Sequence, residues 1–185
     1  MALRDIRIWP DPVLSTPTEA VTAINGDIRT LVDDMFETMY ASEGIGLAAN
    51  QVGVCAQVVV LDLDPHQEAA QDTAWAQQLA SWGFDGPLVL INPTITGRSG
   101  QMKGPEGCLS VPDVTAEISR SSVVEVSYHD RAGKRQKLRA KGLLAVCIQH
   151  ELDHLAGRVF VEYLPEPKQA AIKRALGPSG ARKAG

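Results

Sequence analysis

Several features are scarce in this chain, and each scarcity excludes something. Three cysteines in 185 residues, an odd number, argue against a disulfide framework and for a reducing compartment. No apolar run approaches the roughly 20 residues that a membrane-spanning helix needs. The opening residues Met1 to Ile8 lack an apolar segment and include Asp5, so no secretory or transit leader is expected. The formal charge of −4 offers no electrostatic reason to bind DNA or an anionic membrane surface. Internal repeats and domain linkers are absent too. What remains is 44% apolar and 22% charged, the make-up of an ordinary globular protein. The expectation is one cytoplasmic domain over 1–185, with 177–185 as a frayed tail.

Periodicity divides the chain. Residues 1–24 read as irregular, because Pro10, Pro12 and Pro17 interrupt any helix. From about 26 to 42, Ile28, Leu31, Val32, Met35, Phe36, Met39 and Tyr40 recur at helical spacing. The glycines of Gly44-Ile45-Gly46 then permit close approach to a ligand. Ala56 to Leu63 and Leu88 to Thr96 read as strands, separated by a polar insertion, 64–87, with one helical stretch. Strands are expected at 114–119, 122–129 and 134–141, the last two joined by a turn at Asp130–Gly133. Helices follow over 142–156, closed by Gly157, and over 167–176. Strands grouped before the late helices predict an α+β fold. Its mostly antiparallel sheets would pack around a central helix over 142–156.

Histidine is also scarce, at four residues, yet two of them form His150-Glu151-Leu152-Asp153-His154. Histidines at i and i+4 share one helix face and can hold one metal ion. The intervening Glu151 is then placed to move the proton of a nearby water. A third ligand is not obvious downstream. The extended motif needs histidine at 160, which is Phe160, and Glu162 and Glu166 lie too near the helix end to return. Upstream candidates are Cys108, Cys55, His66 and His129. Cys108 lies in Gly104-Pro-Glu-Gly-Cys-Leu-Ser-Val-Pro112, a segment able to hold a thiolate and expose backbone N–H groups. Cys55 reads as core, and His66 and His129 as solvated. On a helical wheel with His150 at zero, Leu143, Val146 and Cys147 fall near about +20°, −40° and +60°. They would extend the metal face into an apolar wall suited to an unbranched apolar side chain such as methionine, with ordinary core packing as the alternative, above all for Cys147.

Three segments, Gly44-Ile-Gly-Leu-Ala-Ala-Asn-Gln51, Glu106-Gly-Cys-Leu-Ser110 and Gln149-His-Glu-Leu-Asp-His154, occur in this order. Together they resemble the three signature motifs of bacterial peptide deformylases, and the resemblance covers most of the chain. It implies one divalent metal on Cys108, His150 and His154: ferrous iron natively, with zinc, nickel or cobalt as replacements. It makes Glu151 the proton-transfer residue, and Gln51 and the backbone N–H of Leu109 the oxyanion donors. Gly44, Ile45, Gly46, Gly107 and Arg120 join Leu143 and Val146 as expected substrate contacts. The chain departs from the family pattern in the longer 64–87 insertion, in Thr115 where many members carry a substrate-binding arginine, and in Ser119 before Arg120. These departures bear on substrate affinity, not on the reaction.

The implied activity is hydrolysis of the N-formyl group from formylmethionine at the start of nascent polypeptides, releasing formate. The alternatives are a deformylase-fold amidohydrolase with another N-acyl substrate and a structural metal site in a binding protein. Glu151 and Gln51 argue against the latter, because neither is needed to hold a metal. The basic residues Lys168, Lys173, Arg174, Arg182 and Lys183 suggest a ribosome-docking segment. The competing expectation is a solvated helix packed by Ile172 and Leu176.

Overall fold

Three antiparallel sheets and four α-helices make up the described residues, 2–178 and 180–184, of this computed structural model. The α+β class is as predicted. Helix α1 (Gly26–Ala41) starts where the Asn25 side chain accepts from the Ile28 N–H at 3.1 Å. Leu31, Val32, Met35 and Met39 point inward from it and are almost wholly buried. Tyr40, on the edge of that stripe, is half exposed, and its hydroxyl donates to Asp62 at 2.7 Å.

The largest sheet has five strands: β2 (Gly46–Ala48), β3 (Val58–Leu61), β4 (Leu88–Ser99), β7 (Val123–His129) and β8 (Arg135–Lys141). Their order is β2-β3-β4-β7-β8, so β2 is an edge. The strands β5 (Met102–Cys108) and β6 (Val111–Arg120) form a separate hairpin. Helix α3 (Gly142–Leu155) carries His150, Glu151 and His154 and packs against β2, β3 and β8. Leu144, Ala145 and Ile148 are fully buried there with Val59, Leu61 and Leu90.

Several expectations are corrected, while the insertion carries the one helical stretch expected of it. Its helix α2 (Thr73–Trp82) packs on α3, and Leu79 and Phe84 join the core around Leu144 and Ile148. At the start of α3, Gly142 has φ +53°, and a Cβ there would meet Trp82 Nε1 at 2.3 Å. Glycine is what lets the insertion dock. Residues 1–24 contain β1 (Ile6–Ile8), and the tail is not frayed throughout. Its β9 (Gly180–Arg182) pairs antiparallel with β1, Ile6 opposite Arg182. Backbone ladders, not side-chain pattern, make this pair, so three-residue strands far apart in sequence leave no periodic signal. Cys55 is exposed rather than core, because the apolar strand begins only at Val58. Helix α4 (Glu166–Leu176) is held by Ile172 and Leu176 against a third cluster that includes Leu14 and Phe160.

Candidate active site

Helix α3 and the tip of the β5–β6 hairpin bring three donor groups together. Candidate donor atoms of Cys108, His150 and His154 all lie within 4.8 Å of one another. Cys108 ends β5 just past an irregularity in the hairpin register and pairs with Val111 across a tight turn. Its Sγ lies 3.1 Å from His154 Nε2. The two imidazoles are a helical turn apart, with ring centroids at 5.1 Å.

The surroundings orient each ring. His150 Nδ1 donates to Glu106 at 2.9 Å. A carboxylate can only accept, so this bond holds the proton on Nδ1 and leaves Nε2 as the ligand atom. Glu106 also receives Arg120 Nε at 2.8 Å and Nη2 at 3.0 Å. Arg120 donates its remaining nitrogen to Asp153, which also accepts from Arg158 and Tyr163. Burial pushes the Glu106 carboxyl up, but His150 and Arg120 outweigh it and hold it low. Burial pulls His150 down, yet its bonds to Cys108 and Glu106 carry it well above the ordinary value. His154 goes the other way, depressed by burial and by the His150 and Arg120 charges.

Glu151 is buried on the other side of this pair. Its pKa is pushed up to about 7, chiefly by burial. Gly46 makes room for it, since a Cβ there would meet Glu151 Oε1 at 2.5 Å. Glu151 Oε2 has no hydrogen-bond partner although it is inaccessible to solvent, and the same is true of His154 Nδ1. Buried polar atoms are normally paired, so the open Glu151 oxygen, on the residue next to the ligand candidate His150, is a group free to act on something held at the donor set; His154 Nδ1 is the nitrogen turned away from Cys108. A thiolate and two imidazoles are also a donor set for a transition metal. The residues therefore fit a metal ion.

A cavity of about 680 Å³ opens in front of these groups. Gly44, Ile45, Gly46, Gln51, Gly107, Leu109, Leu143 and Val146 line it, and so do Cys147 and Thr115. Gln51 is buried. Its Oε1 accepts from Ala48 N–H at 2.8 Å, and its Nε2 reaches Ser110 Oγ at 3.2 Å and Cys108 Sγ at 3.5 Å. Its amide donor is thus turned toward the Cys108 sulfur. Arg120 is the exception among the expected contacts. It does not line this cavity, because Glu106 and Asp153 occupy all its nitrogens behind α3. Two residues that matter to the site, Glu106 and Asn50, carry no role in the sequence reading. Asn50 Nδ2 donates to the His154 carbonyl at 2.5 Å and ties the first motif segment to the metal helix. Both residues belong to the three motif segments, and that membership is the one signal the sequence offers for them.

The fold and donor set define a metal-dependent hydrolase built on a helical His-Glu-x-x-His segment and a hairpin thiolate. Comparison with known proteins narrows the class. The sequence profile of the polypeptide deformylase family matches residues 3–170. A peptide deformylase of Alkalilimnicola ehrlichii is 46% identical over 176 residues, 95% of this chain and 90% of that protein. The solved peptide deformylase of Legionella pneumophila has a TM-score of 0.82 at 35% identity, covering 95% of this chain and 94% of that one. The Ehrlichia chaffeensis peptide deformylase, solved in complex with actinonin, has a TM-score of 0.84 at 38% identity, covering 95% and 96%. The chain belongs to the polypeptide deformylase family.

Proposed function

We propose that this protein is a peptide deformylase, a single catalytic domain that removes the formyl group from the formylmethionine of new polypeptides and releases formate. The observation that carries the reading is Glu151: a buried carboxyl with one unpaired oxygen, beside the Cys108–His150–His154 donor set and lining the cavity. A divalent metal held by those three residues, ferrous iron in this reading with zinc, nickel or cobalt as replacements, would supply a Lewis acid to polarise the formyl group and acidify water.

The chain's own residues do the rest. Glu151 takes the proton of the attacking water and returns one to the departing amine. The water oxygen bonds to the formyl carbon, the carbon–nitrogen bond breaks, and formate and a free amino terminus leave. Gln51 Nε2 and the Leu109 N–H serve as donors to the oxyanion formed on the way, each worth roughly 3–4 kcal/mol in comparable sites. Gly44, Ile45, Gly46 and Gly107 line the peptide backbone, and Leu143, Val146 and Cys147 supply the apolar wall for methionine. Arg120 acts at one remove, by fixing Glu106 and thus the His150 ring. Formate release from formyl-Met-Ala-Ser tests the reading. An equal rate on acetyl-Met-Ala-Ser would favour a broader acyl hydrolase instead.

The setting of this reaction is the cytoplasm, beside translating ribosomes. The scarcity of cysteine supports this compartment, and no helix among the described residues is long and apolar enough to cross a membrane. For ribosome docking the support is narrower. Lys168, Lys173 and Arg174 are exposed on α4, whereas Arg182 and Lys183 lie at the cavity. Changing the three α4 cations to glutamate should weaken ribosome co-sedimentation at low salt, and unchanged sedimentation would remove the docking role.

A further inference from the structure

The tail is part of the active-site cavity. Pairing of β9 with β1 sets Arg182 opposite Ile6, which is buried and lines the cavity. Arg182 and the next residue, Lys183, are both exposed and both line the same cavity. Neither forms an ion pair among the described residues.

The other charges of the cavity are disposed differently. Glu106 is taken up by Arg120 and His150, and Glu151 is buried beside the metal donors. Glu43, in the turn after α1, and Asp113, on β6, are exposed and line the cavity too. Both cations of the lining are therefore carried by one strand end, and the two exposed acids by other elements. A formylated chain has its formyl end against His150 and Glu151 and must leave through this mouth. Each extended residue advances about 3.3 Å, so the groups that meet the rim belong to the next few residues.

We infer that Arg182 and Lys183 form a carboxylate-binding rim that selects deformylation substrates bearing an acidic group shortly after the formylmethionine. The carboxylate is either an acidic side chain or the free end of a short peptide. The inference rests on the deformylase reading of the cavity. It does not require the tail to touch the reacting atoms. Arg182 and Lys183 act on affinity and specificity alone.

Four substrates test it: formyl-Met-Ala-Ser-amide, formyl-Met-Ala-Ser, formyl-Met-Ala-Glu-amide and formyl-Met-Ala-Lys-amide. The metal-loaded protein should show lower KM for one or both acidic peptides than for the neutral amide. The Arg182→Gln, Lys183→Gln double variant should cut that ratio about threefold to tenfold, the scale of one or two exposed ion pairs. Added salt should erode the ratio in the original protein, because exposed charges are screened. Arg182→Lys should keep it, which separates charge from any role of the arginine in holding β9. A preference for the glutamate amide assigns the rim to side chains, and a preference for the free acid alone assigns it to chain ends. Turnover of all four at equal KM would overturn the rim and leave the deformylase reading intact. So would a ratio that survives the double variant. Turnover of none would overturn both.

Discussion

The two sides of helix α3 face polar groups in opposite ways. On the cavity side, His150, Glu151 and His154 are buried, yet Glu151 Oε2 and His154 Nδ1 have no partner. On the far side, Asp153 accepts from Arg120, Arg158 and Tyr163. Gln149 there donates to the Ser121 and Ala145 carbonyls and accepts from Arg98 and the Ser121 N–H. An unmet buried polar group costs about 1–3 kcal/mol, a cost that Asp153 and Gln149 on the far side avoid by being fully bonded. Reactivity and rigidity are thus divided between two faces one residue apart. Asp153 precedes His154, and Gln149 precedes His150.

The sharpest break in this comparison is to remove a donor. Cys108→Ala should abolish stoichiometric metal and with it turnover; full metal content by elemental analysis would take Cys108 out of the donor set. Next is Glu151→Gln, which should retain the metal but lose about 10²- to 10⁴-fold in kcat, the usual reach of general acid–base catalysis. A loss of metal instead would make Glu151 a ligand.

On the far side, Arg120→Ala should cost about 3–5 kcal/mol of stability by denaturant unfolding, because it takes the shared guanidinium from two buried carboxylates and leaves Glu106 with His150 and Asp153 with Arg158 and Tyr163. A loss under about 1 kcal/mol would mean that Glu106 and Asp153 find other partners. A pH experiment probes the cavity side without catalysis. The folded state holds Glu151 protonated up to about pH 7, above its ordinary value of 4.5. That group's stabilising contribution is complete below pH 4.5 and is lost as pH rises through 7. Metal-free protein should therefore lose stability over this window relative to Glu151→Gln, by about 3 kcal/mol at most. Parallel pH profiles would show that the carboxyl is not held protonated. The smallest effect is expected from Tyr163→Phe, which removes one of three donors to Asp153. It should cost about 0.5–1.5 kcal/mol and leave KM for formyl peptides unaltered.

How far the sequence can be read follows from the range of each interaction. His150, Glu151 and His154 share a helix, so their meeting is legible from a spacing of four. The same periodicity puts Leu143 and Val146 on the cavity wall, since a helix face is fixed by residue spacing alone. Cys108 and Gln51 are legible as members of recognisable segments, but their approach to the helix is not. Arg120 is expected as a substrate contact from the family resemblance, and in the structure its nitrogens are bonded to two carboxylates. Its partners Glu106 and Asp153 stand 14 residues before and 33 after it, and no local pattern couples them.

By itself the sequence determined the helices α1 and α3, the donor types, and the chemistry those donors support. Helical periodicity and side-chain chemistry are local properties and can be read without coordinates. Tertiary structure alone decided that the insertion packs against α3, that Arg120 turns away from the cavity, and that the tail returns to its mouth. Those outcomes depend on backbone ladders and buried charge pairs between distant segments. Their free energy exists only once the chain has closed on itself.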